Sequence, residues 1–92
     1  MSSFTESGKL SLMRSSSQIR AARALLGWSQ TTLARAAGIG LATLQRIEQS
    51  KSVVKGNFQT VLKIQKALET AGVRFTEDEA GQVGVSLVKK KR

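Results

Sequence analysis

The sequence predicts a mainly α fold of four to five short helices, two of them in a helix-turn-helix, followed by a short C-terminal β-hairpin or strand pair. Three observations predict it. Short runs of helical periodicity end at Gly27, Gly38 and Gly72. The stretch SQTTLARAAGIGLATLQRIE, Ser29 to Glu48, reads as two short helices joined by Gly38-Ile39-Gly40. After Gly72 the period changes to alternation, with Val73 and Phe75 and then Val83, Val85 and Leu87.

Residues 1–15 are rich in serine, with Phe4, Leu10, Leu12 and Met13 scattered at no sustained period. They read as a flexible arm. A helix-turn-helix domain is expected over residues 16–72. Residues 73–92 are read as a β extension with a basic tail and a candidate dimerisation element.

Helix 1 is expected from Ser17 to Leu26, with Ser15, Ser16 and Ser17 as candidate N-caps. Ile19, Ala22 and Leu26 fall at i, i+3 and i+7 and mark its buried stripe. Gly27 is the stop. Helix 2 is expected from Gln30 to Ala37, capped by Ser29, with Leu33, Ala34 and Ala37 inward. Helix 3 is expected from Leu41 to about Gln49. At roughly 100° per residue, Leu44 and Ile47 centre its inner face. Ala42, Gln45, Arg46 and Gln49 lie opposite, an unusual stripe for a helix with no polar partner. Ser50 to Gly56 is a polar loop. Asn57 caps a longer helix 4, about Phe58 to Ala71. Its wide apolar face comprises Phe58, Val61, Leu62, Ile64, Leu68 and Ala71. The hairpin turn is TEDEAGQ. A lone hairpin is marginal in water, so it must pack on helices or on another chain.

Ninety-two residues suit one small domain with a thin core, which dimerisation would support. The formal net charge of +9 favours a polyanionic partner. Most of that charge surrounds the turn: residues 17–56 hold Arg20, Arg23, Arg35, Arg46, Lys51 and Lys55 against Glu48 alone. No apolar run approaches the roughly 20 residues of a membrane span, and the first residues lack the apolar core of a secretion signal. A cytoplasmic, nucleoid-associated location is expected. With no Cys and no His, thiolate and imidazole chemistry is absent. An enzyme is the weakest reading, and no cofactor or metal is expected. Among the remaining residues, Glu48 is read as the structural partner of an arginine on helix 1 or 2, and Trp28 as a packing anchor. The acids of Thr76 to Glu79 are read as a solvated turn.

The chain resembles the Cro and phage-repressor type of helix-turn-helix regulator, the XRE family, over about Ser17 to Ala71. The matching residues are Trp28-Ser29-Gln30, Leu33-Ala34 with Ala37-Gly38, and Leu44 with Ile47-Glu48. The GVRF and GVSL segments resemble a C-terminal extension of small bacterial members. The resemblance implies a lambda-repressor-like domain that binds double-stranded DNA. It places Leu41 and Ala42 at the leading base-reading positions and Arg46 at a later one. It implies that Gln30 contacts a phosphate and braces helix 3, and that Lys51 and Ser52 grip the DNA backbone. Gln45 is a further expected base contact; Arg35, Thr43, Gln49 and Lys55 are further expected phosphate contacts.

Two features depart from the family pattern. Gly40 stands where Ser or Thr usually caps helix 3, a weaker cap. Leu41 and Ala42 cannot hydrogen-bond to bases, although they can contact thymine methyls. Direct readout then leans on Arg46 and Gln45, supplemented by DNA shape. The expected function is a dimeric repressor or autoregulator on an inverted-repeat operator, with helix 4 and the tail strands as the homodimer surfaces. The alternative is a protein-binding module of the same fold, an antitoxin or antiactivator that sequesters a partner.

Overall fold

The computed structural model of the chain describes Met13 and residues 15–50 and 58–88. These form α1 (Ser16–Leu26), α2 (Gln30–Ala37), α3 (Leu41–Gln49), α4 (Phe58–Thr70), β1 (Val73–Glu77) and β2 (Val83–Leu87). The mainly α class with a C-terminal hairpin is thus the observed one, with four helices among the described residues. The expectations for residues 1–12, Lys51, Ser52, Lys55, the Asn57 cap and the terminal KKKR lie outside the described residues.

Local chemistry sets the helix limits. Of the three candidate serines, Ser15 is the N-cap of α1: its hydroxyl accepts from the Ser17 N–H at 3.1 Å, and its own N–H donates to Gln18 Oε1 at 3.1 Å. This reciprocal arrangement is a capping box. Ser29 caps α2 by accepting from the Thr32 N–H at 3.1 Å. α1 and α2 end alike. Gly27 and Gly38 adopt left-handed φ values of 70° and 72°. The next residues, Trp28 and Ile39, donate their N–H groups back to Arg23 O (2.9 Å) and Ala34 O (3.0 Å). Both are Schellman closures, with an apolar residue after the glycine. Trp28 and Ile39 then pack against the core. The left-handed conformation at Gly38 turns the chain sharply enough to bring α3 across α2, and a side chain there would be strained.

The fully buried core draws on every element but β2, whose half-buried Val85 packs against it. Ile19 and Ala22 come from α1; Leu33, Ala34 and Ala37 from α2; Leu44 from α3; Val61, Ile64 and Leu68 from α4; Val73 and Phe75 from β1. Met13 joins them, and its N–H donates to Gln65 Oε1 at 2.9 Å. The apolar face expected for α4 splits in two. Val61, Ile64 and Leu68 are buried, whereas Phe58 and Leu62 stay exposed.

β1 and β2 pair antiparallel, from Val73 opposite Leu87 to Glu77 opposite Val83. The hairpin packs on helices of its own chain, β2 on α1 and β1 on α4. A side-chain bond fixes the former contact: Gln18 Nε2 donates to Gly84 O at 3.1 Å. The acidic turn is organised by Asp78, whose Oδ1 accepts from the N–H groups of Ala80 (2.9 Å) and Gln82 (2.8 Å).

Candidate nucleic-acid interface

α3 has one fastened side and one free side. Leu44 is fully buried, Ile47 packs on the core, and Glu48 is only 4% exposed. Ala42, Gln45, Arg46 and Gln49 are exposed on the opposite stripe, and Leu41 is exposed at the helix start. Thr43 is half-buried on the flank. The spacing that predicts this division follows directly from 3.6 residues per turn.

Glu48 is the fixed point beneath the stripe. Its Oε2 accepts from Arg23 Nε at 2.9 Å and its Oε1 from Arg23 Nη2 at 3.0 Å. The two parallel bonds match the planar fork of a guanidinium to a carboxylate. A third donor, Gln30 Nε2, reaches Oε1 at 3.0 Å. The carboxylate therefore joins α1, α2 and α3. The partner arginine is the one on α1, of the two helices that the sequence left open.

The C-terminal end of α3 is tied to α1 as well. Arg20 Nη1 donates to Glu48 O at 2.7 Å, and the Ser16 hydroxyl donates to Ser50 O at 2.5 Å. The carbonyls at a helix C-terminus lack intrahelical donors and carry partial negative charge, so a guanidinium there is doubly favourable. Arg20 and Arg23 are thus bonded within the domain, each in a role that charge counting alone assigns equally to phosphate or to solvent.

The N-terminal end is held more lightly. Gly40 has the extended φ and ψ of an N-cap but makes no side-chain cap bond. Support comes instead through Gln30, whose Oε1 accepts from Gln45 Nε2 at 3.4 Å. Gln30 thereby contacts both the anchor of α3, Glu48, and one of its outward residues. Gln30, Gln45 and Gln49 line one open polar groove with Arg20, Arg23 and Glu48. Arg46 is exposed on the same helix stripe and Arg35 in the last turn of α2, and neither lines the groove. Lys51, Ser52 and Lys55 are outside the described residues. The Gln30–Glu48 bond was not legible in the sequence beforehand, since the residues are 18 positions apart and only the helix crossing brings them together.

Two helices linked by a tight glycine turn, the second presenting a polar stripe above a buried anchor, define a helix-turn-helix DNA-binding domain. The helix-turn-helix family HTH_3 matches residues 19–71, and the chain belongs to this XRE/Cro-like family. It is accordingly a DNA-binding regulator of the XRE kind, in a family of regulators rather than of enzymes. No curated protein matches the sequence. Among the described residues, no helix is long and apolar enough to cross a membrane.

Proposed function

We propose that the protein is a dimeric transcriptional repressor or autoregulator that sets α3 into the major groove of an inverted-repeat operator. The observation that carries this reading is the exposed row Ala42, Gln45, Arg46 and Gln49 on a helix whose other side is locked by Leu44 and Glu48. In this reading Arg46 and Gln45 read base edges, while Leu41 and Ala42 meet thymine methyls. Gln30, Arg35, Thr43, Gln49, Lys51, Ser52 and Lys55 contact phosphates and set the register. The +9 charge supplies most of the affinity, which falls steeply with added salt.

The dimer surface proposed is the exposed apolar remainder of α4 and the C-terminal strands: Phe58 and Leu62 on the helix, Leu87 and Val88 at the end of β2. An isolated protomer gains nothing by leaving these in water, whereas a twofold partner covers them. Two copies of α3 would then address half-sites about 34–36 Å apart.

A gel shift on the DNA upstream of the protein's own operon tests the reading directly. A salt-sensitive shift, with light scattering giving twice the chain mass, is the expected outcome. Absence of a shift on any duplex, together with capture of one stoichiometric protein partner, would favour the sequestering module instead.

A further inference from the structure

A second concave surface lies between α2 and α4. It is an open groove of about 470 Å³, within the size range of small-molecule sites. Its lining is mainly apolar and small, with Ala36 from α2, Ala67 from α4 and Ala71 just after it, beside the half-buried indole of Trp28. Two cations, Lys63 and Lys66, line it from α4. The short side chains leave the depth, and the indole offers a flat apolar wall.

The lysines distinguish this groove from an ordinary seam between helices. Both are exposed, and neither ammonium has a carboxylate partner among the described residues. The nearest acid on the same helix, Glu69, accepts a bond from Gln65 Nε2 at 2.8 Å instead. Unpaired ammonium groups at an apolar, aromatic-walled cleft complement a ligand with a flat apolar body and one anionic end. A bare inorganic anion leaves the apolar lining unused, and a neutral ring leaves both charges unused. The groove adjoins the proposed dimer face without coinciding with it: at roughly 100° per residue, Lys66 lies about 40° and Ala67 about 140° around α4 from Leu62.

We propose that this groove binds a small aromatic carboxylate, with its ring against Trp28 and the alanine lining and its carboxylate at Lys63 and Lys66. Recognition combines apolar burial with charge-assisted hydrogen bonds, the combination that gives small sites their specificity.

Trp28 is the only tryptophan in the chain, so its indole N–H gives a single NMR resonance at the site. The full chain, labelled with ¹⁵N, is titrated with 2-naphthoate, the neutral 2-naphthalenemethanol, and octanoate. The expected result is a saturable shift of the Trp28 indole and of the Ala36 and Ala67 amides with 2-naphthoate. Binding is expected to be at least about tenfold weaker for the neutral alcohol and in Lys63→Gln/Lys66→Gln. Ala36→Leu, at an exposed position, retains the fold and blocks the shift. An unsaturated or absent response through millimolar 2-naphthoate overturns the proposal, as does equal binding by the double lysine variant. Equal binding of octanoate overturns the aromatic assignment.

Discussion

Arg23 and Glu48 meet across the packing of α1 on α3 as a two-point ion pair, with N–O distances of 2.9 and 3.0 Å and the carboxylate almost wholly buried. The pair holds α3 from beneath, and it is costly to break from one side. Arg23→Ala leaves a buried carboxylate with only Gln30 as a side-chain donor. A loss of about 3–5 kcal/mol is expected on urea unfolding. Arg23→Met/Glu48→Leu removes both charges and should recover most of that loss, since apolar replacements of a buried pair are often neutral. A single variant as stable as the parent would show that the pair holds nothing.

DNA contacts of different kinds separate by their response to sequence. Arg46→Ala is expected to cost about 1–3 kcal/mol on the preferred operator and to relax preference at one base pair. Lys51→Ala is expected to weaken all duplexes alike and to lower the salt slope by about one. Binding measured on an operator series at two salt concentrations makes the distinction. A uniform loss in Arg46→Ala would move that residue to the phosphate group.

Phe75 is fully buried in the same cluster as Leu33 and Leu68, although it lies in the hairpin. Phe75→Ala is expected to destabilise the whole domain by about 3–5 kcal/mol through lost burial and a residual cavity. Circular dichroism at 222 nm reports the helices, so a lowered unfolding midpoint there shows that the hairpin supports them.

Gly40 leaves the start of α3 without a side-chain cap, and there is room for one: a Cβ built there meets only Thr43 Oγ1, at 3.9 Å. Its backbone already has the extended conformation of a capping residue. Gly40→Ser is therefore expected to stabilise the domain by a few tenths of a kcal/mol. Thermal unfolding should show a small rise in midpoint, and amide exchange over Leu41 to Thr43 should slow. Faster exchange would mean that the serine does not reach the helix N–H groups.

Helix positions were largely legible because their signals are local. Gly27, Gly38 and the serines at 15 and 29 act within a few residues of themselves, so the limits of α1 and α2 follow from neighbours alone. The division of α3 into an inner and an outer side follows from periodicity for the same reason. Tertiary choices were less legible. Met13 carries no period with its neighbours, yet it enters the core because Gln65 receives its backbone N–H. The split of the α4 face was hidden too. Phe58 and Leu62 look as core-like as Val61 in a string of letters, and only the placement of the other elements leaves them exposed. Among arginines of similar appearance, Arg20 and Arg23 bond to Glu48 because α1 crosses α3 there.

The bond from Gln18 to Gly84 spans 66 positions, and that from Met13 to Gln65 spans 52. On the ribosome these partners arrive in a fixed order, and β2 follows all four helices. A nascent chain that has exposed α1 to α4 but not the hairpin still lacks Val73 and Phe75, two of its fully buried core side chains. Native packing of α3 and its neighbours therefore waits for β1 and β2. Long loop closure of this kind slows folding, so the four helices reach their native packing only after the hairpin has been released.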